Sequence, residues 1–225
     1  MQFASVYNAH KKRFIPLKDL KWGEEMEYQL YLPDAKDKSI KLSNRGPELI
    51  QKFNASQISS TNDVNLMPEF GGWMIEAVPS KPYDSIIDAS SLLSCEQKLH
   101  LRRDVLDEYC WDYGLQIVSL ANVPYLGCKD HIVIDDADLA QAVKDHDGDL
   151  SELNPASRSK FVVDGTINPH PRFAGLVKSI REKRGEKVEI RVPLYKDELT
   201  NMTEPTESEP FPGEIYMDAM HFGMG

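Results

Sequence analysis

No run in the 225-residue chain approaches the roughly 20 consecutive apolar residues that a membrane-spanning helix needs. The opening MQFASVYNAHKKRF has no apolar stretch of the kind found in a secretory leader. Cysteine is scarce. Cys95, Cys110 and Cys128 are an odd count with no CxxC spacing, which argues against both a disulfide framework and a zinc knuckle. A reducing, cytoplasmic setting fits these absences. Positive charge is also short, with 26 Lys and Arg against 36 Asp and Glu and a net charge of −10. That argues against a nucleic-acid binder, which would set basic residues against phosphates. It leaves open a nucleotide-using enzyme that holds phosphates through Mg²⁺, because such a site wants carboxylates. Neither GxGxxG nor GxxxxGK[ST] occurs, nor any Ser/His/Asp or Cys/His signature of nucleophilic catalysis.

What is present is a globular balance, 41% hydrophobic and 28% charged, in a chain long enough to bury a core. KWGEEMEYQLYL (21–32) alternates with period two. It places Trp22, Met26, Tyr28, Leu30 and Leu32 on one face and Glu25, Glu27 and Gln29 on the other, as in a half-buried strand. WMIEAV (73–78) reads as a second strand behind Gly71-Gly72. A helix is expected from about 84 to 113, with Ile87, Leu92, Leu99, Leu106 and Tyr109 as core positions and Gly114 at its C-terminus. Residues 115–126 are strand-like, 173–184 helical and 186–195 alternating. Residues 197–213 are acidic and Pro-rich, so a mobile loop is expected there, and 214–225 begin as a strand. Irregular spacing of strands and helices predicts an α+β protein on a largely antiparallel sheet.

Four acids stand out. Glu25 and Glu27, two apart on a strand, share a face with Cβ atoms about 7 Å apart. Glu76 interrupts an apolar strand, and Glu69 lies beside Pro68 and the glycine pair. Buried carboxylates are costly unless paired or bound to a metal. Converging across neighbouring strands, these four would hold a hard cation such as Mg²⁺. Glutamates on a polar strand face are usually solvated, however, and a lone one in an apolar strand is often an ion pair. Spacing leaves these readings open.

KWGEEMEY resembles the KWGDEVEY and FWGDELEY signatures of eukaryotic-type glutamate–cysteine ligases, and MPEFGGWMIEAVPSKPY resembles that family's PEYGSYMIEGTPGQPY. ASRSKF, INPHPRF, IREKRGEKVEIRVPLYKD and IYMDAMHFGMG match further family blocks in the same order, from about residue 20 to 225. The resemblance implies a glutamine-synthetase-like fold in which Glu25, Glu27, Glu69 and Glu76 bind Mg²⁺. It implies ATP-driven joining of the glutamate γ-carboxylate to cysteine through γ-glutamyl phosphate, the first step of glutathione synthesis. Met224 is then expected along the substrate pocket. Arg181 and Arg184 are candidates for phosphate or substrate carboxylate, although basic residues at a helix C-terminus often serve the helix dipole. His170 is expected to be structural.

Three departures qualify that expectation. Tyr125 replaces the arginine of the family's FPRLGC block, His221 stands where the family has glycine, and the chain stops at Gly225 ahead of the family's later half. Residues 1–225 are therefore expected to be a single partial catalytic domain. ATP, glutamate and cysteine are the implied small-molecule partners, alongside a modifier subunit or a chain carrying the missing half. Neither nucleic acid nor membrane is expected. Two other readings stand beside a ligase: a non-catalytic or fragmentary paralogue acting as a regulatory chain, and a related enzyme joining glutamate to another amine.

Overall fold

The computed structural model describes residues 2–84, 89–120, 132–133, 166–185, 190–193, 198 and 214–217. In chain order the elements are α1 (Gln2–His10), a 3-10 turn (Leu17–Asp19), β1 (Met26–Asp34), β2 (Ser39–Ser43), α2 (Gly46–Asn54), α3 (Gln57–Asn62), β3 (Val64–Pro68) and β4 (Met74–Pro79). There follow α4 (Ala89–Trp111), β5 (Gln116–Val118), β6 (Ile132–Val133), α5 (Pro171–Arg184), β7 (Ile190–Pro193) and β8 (Glu214–Met217). The protein is α+β. Its main sheet runs β3-β4-β1-β2-β6 with β5 also on β1, while β7 and β8 form a separate antiparallel pair. Every pairing in the main sheet is antiparallel except the short parallel β2–β6 contact.

β1 is the hub of this sheet. Gln29 pairs with Met74 and with Val118, and Tyr31 pairs with Leu42 and with Gln116. A strand residue has one neighbour on each edge, so β4 and β2 follow one another along one edge of β1 and β5 takes the other. Where β2 hands over to β4 the backbones nearly touch, and the Gly46 N–H donates to Gly72 O at 2.8 Å. A Cβ on Gly46 would lie 2.5 Å from that oxygen and 2.7 Å from Met74 O. Only glycine fits there.

The two faces of the sheet are filled differently. Tyr28 and Leu30 of β1, Ile75 and Ala77 of β4, and Val64 and Leu66 of β3 pack against α2 (Leu49, Phe53) and α4 (Leu106, Tyr109, Cys110). Leu49 and Phe53 sit four apart on one helical stripe, and Pro47 starts α2 without an N–H to satisfy. Each fully buried Val, Leu, Ile or Phe side chain among these contributes about 1.5–3 kcal/mol. The opposite face carries a second core of Tyr31, Leu42, Phe70, Trp73, Met74, Ile167 and Phe173. α4 ends in a Schellman turn: Gly114 has φ +73°, the Leu115 N–H reaches Cys110 O at 3.0 Å and the Gly114 N–H reaches Trp111 O at 2.8 Å.

Several expected boundaries shift. The strand predicted from residue 21 begins at Met26, because Trp22 makes only an isolated bridge with Tyr83 and Gly23 to Glu25 lie outside any strand. The helix predicted over 84–113 is seen from Ala89 to Trp111, the Schellman turn taking over beyond it. Leu106 and Tyr109 are buried as expected, but Leu92 is 49% exposed and Leu99 only half-buried, since the buried residues of α4 begin at Arg102. Gln29, expected on a polar face, is buried. Its amide is saturated by Leu120, accepting from the Leu120 N–H and donating to Leu120 O, both at 3.0 Å. The strand expected over 115–126 is seen over Gln116–Val118, with 121–126 outside the described residues. Ile87, and all of the 197–213 loop but residue 198, also lie outside them.

Gly46→Ala should destabilise the chain by about 1–3 kcal/mol, the usual cost of overpacking against fixed neighbours. Gly175, inside α5 with nothing within 4 Å of an added Cβ, is the control. Gly175→Ala should be neutral or stabilising by up to about 1 kcal/mol. Urea melts of both variants decide the point, and equal midpoints would contradict the close approach.

Candidate functional site

Strand parity assembles the acids. Cross-strand partners share a sheet face, and β1 and β4 pair Tyr28 with Ile75, Met26 with Ala77 and Glu27 with Glu76. The first two pairs turn to the helix-covered core, so Glu27 and Glu76 project from the other face. Glu25 precedes Glu27 by two residues, just ahead of the strand. β3 places Met67 opposite Glu76, and Glu69 follows Met67 by two. Glu25 and Glu69 lie just beyond the ends of β1 and β3, near enough to Glu27 and Glu76 for their charges to act on them.

Their electrostatics follow from that placement. Glu27 and Glu76 are directly opposite, with Cβ atoms typically about 5 Å apart. Burial raises the Glu27 pKa, helped by the charges of Glu69 and Glu25. Glu76 is pushed up to about 8, first by burial, then by a hydrogen bond with Glu69, then by Glu25, Glu69 and Glu27. Glu69 Oε2 also accepts the Phe70 N–H at 3.1 Å. The expected convergence on one ion is not seen in the side-chain placement: among the described residues no group of three or more His, Cys, Asp or Glu stands close enough to hold a metal ion. The donor set is all carboxylate oxygen, the chemistry a hard divalent cation takes.

Behind the acids lies a cluster that spacing alone did not single out. Glu24 forms an ion pair with Arg102 of α4, and the Tyr83 hydroxyl donates to Glu24 Oε1 at 2.6 Å. Arg102 Nη1 donates to the Tyr83 oxygen at 3.3 Å, and the Tyr83 ring packs at a tilt against Trp22 with centroids 4.6 Å apart. Glu24 differs from Glu25 only by strand parity, and an acid one residue off the polar face was the available clue. Of the other sequence candidates, Arg181 and Arg184 fall in the last turn of α5, but their side chains lie outside what is described. Met224, Tyr125, Cys128 and His221 lie outside the described residues. His170 caps α5, its Nδ1 accepting the Arg172 N–H at 3.3 Å. Among the described residues no helix is long and apolar enough to cross a membrane.

The family model described as glutamate-cysteine ligase matches residues 1–225. The chain belongs to that family. It is 34% identical to the human glutamate–cysteine ligase catalytic subunit, an alignment covering 100% of this chain and 34% of the relative. The Saccharomyces cerevisiae glutamate–cysteine ligase is 33% identical over 91% of this chain and 32% of its own length. That of Dictyostelium discoideum is 31% identical over 92% and 34%. The chain thus spans about a third of the length of the curated glutamate–cysteine ligases it matches.

The protonated Glu76 has a consequence for stability. Its folded-state pKa of about 8 lies above the ordinary 4.5, so the folded chain holds a proton that the unfolded chain has already lost. Stability should therefore fall as pH rises from about 4.5 through about 8. Glu76→Gln should flatten that slope. Urea denaturation at a series of pH values measures it, and an unchanged slope in the variant would place the titration elsewhere.

Proposed function

We propose that this chain carries the acidic, cation-holding part of a glutamate–cysteine ligase site. The observation that supports it is the meeting of Glu25, Glu27, Glu69 and Glu76 on one sheet face, with Glu27 opposite Glu76. Acids placed so are costly by themselves, and a divalent cation is the partner that offsets the cost. The names of the relatives support the reaction: an acid–amino-acid ligation of glutamate with cysteine in glutathione biosynthesis.

In this reading the glutamate γ-carboxylate attacks the γ-phosphorus of ATP and ADP leaves. The cysteine amine then attacks the acyl phosphate, loses a proton and expels phosphate. Glu25, Glu27, Glu69 and Glu76 would hold Mg²⁺, which when bound screens the triphosphate and stabilises charge in phosphoryl transfer. Glu76 would give up its proton to become a ligand, as metal ligands must. The apolar wall of Trp73, Phe70 and Met74 limits water at the inner end of the face. Met224 would line the amino-acid pocket, and Arg181 and Arg184 would meet phosphate or carboxylate. The fold is proposed to be glutamine-synthetase-like and the setting cytoplasmic.

The chain covers about a third of its relatives' length, so a modifier subunit or a chain bearing further groups is the proposed partner. Holding three substrates in register supplies about 7–11 kcal/mol in well-oriented reactions, and acids alone do not position them. Purified alone, the 225-residue chain should show no cysteine-dependent ADP release with glutamate and Mg²⁺. Turnover near 1 s⁻¹, ordinary for an enzyme, would show that these residues suffice. In a full-length ligase carrying this segment, Glu27→Ala should lower kcat at least about 100-fold with an unchanged melt. Loss of folding instead would mark Glu27 as a structural ion pair.

A further inference from the structure

Gly23, Glu24 and Glu25 lie between the Trp22–Tyr83 bridge and the start of β1 at Met26, outside any strand. Backbone pairing therefore fixes Glu27 but not Glu25. The side chain of Glu24 reaches the other way from Glu25, toward α4, where Arg102 is 1% exposed. We propose that Glu24, Arg102 and Tyr83 are a positioning cluster that fixes this strandless segment and so sets the place of the Glu25 carboxylate at the acid face. The inference rests on the cation reading of Glu25, Glu27, Glu69 and Glu76.

Three observations carry it. The Glu24 side chain is 16% exposed and that of Arg102 2%, so the ion pair is desolvated. Tyr83 ties into it twice, donating to Glu24 at 2.6 Å and accepting from Arg102 at 3.3 Å. The same tyrosine grips the preceding residue through both backbone and ring: its N–H donates to Trp22 O at 2.7 Å, and its ring packs on the indole at 4.6 Å. Residues 22 and 24 are thus pinned to one tyrosine and one helix, and Glu25 is the next residue on the chain. A buried ion pair is a weak source of stability, since apolar replacements of like volume are often as stable or more so. Its geometry is what a hydrophobic pair would not reproduce. Metal ligands commonly rely on such outer partners, whose loss weakens binding about 10- to 100-fold.

The test is calorimetric titration of Mn²⁺ into the 225-residue chain and its variants, with thermal melts alongside. Arg102→Met alone leaves the buried Glu24 without its counter-charge and should lower the melting temperature. Glu24→Leu combined with Arg102→Met should restore the melt, yet bind Mn²⁺ about 10-fold or more weakly. Tyr83→Phe keeps the ring on Trp22 and should bind several-fold more weakly with little change in melt, which carries the test if the double variant fails to fold. Restored melt with wild-type affinity would overturn the positioning role and leave the cation reading standing. Wild-type protein that takes up no Mn²⁺ would overturn the cation reading, and this inference with it.

Discussion

The pairing of Met26–Gln29 with Met74–Ala77 sets Glu27 opposite Glu76, and the rest of the acid face depends on that register. A slip of one residue would turn Glu76 into the helix-covered core and bring Ile75 or Ala77 to the acids. Tyr28 and Ile75 prevent it. They are buried together beneath α2 and α4, so apolar packing on one face enforces an electrostatically unfavourable pairing on the other. Burial, with the neighbouring acids adding to it, holds the Glu76 pKa well above the ordinary carboxylate range. An arrangement that tolerates protonated acids under strong packing is organised around something other than its own stability.

The same division of labour runs through the sheet. β1 is gripped along one edge by β4 and β2 and along the other by β5, so its centre is buried on both faces. The glycine contact between Gly46 and Gly72 lets β2 and β4 share an edge without a gap. At the N-terminal end of β1 the ladder stops, and side chains take over. There Trp22, Glu24, Tyr83 and Arg102 replace hydrogen-bonded strand with a buried polar cluster.

Much of this was legible in the residues. Period-two alternation gave β1 its faces, the apolar WMIEAV exposed Glu76 as an anomaly, and Gly114 marked the end of α4. The family was legible too, because its motifs recur in order along the chain. Other features were hidden for physical reasons. Gln29 looks solvated by parity, but its amide closes on the Leu120 backbone, a contact 91 residues away in sequence that no local pattern reports. Leu92 has core chemistry, yet the buried stretch of α4 begins ten residues later, at Arg102. Arg102 itself reads as a surface residue on a polar helix and is one of the most buried side chains described, because its partners Glu24 and Tyr83 arrive from two other segments. Propensity and period see neighbours along the chain; these partners are neighbours only in space.

On the function proposed above, the four acids form one cation site rather than four separate carboxylates. Substoichiometric Mn²⁺ added to the chain with ¹³C-labelled glutamate side chains tests it most directly, since a paramagnetic ion broadens the carboxyl resonances nearest to it. The account predicts that Glu25, Glu27, Glu69 and Glu76 broaden together and before all other glutamates, including the ion-paired Glu48 on α2. Broadening that begins at surface acids, or that reaches Glu27 without Glu76, would contradict it.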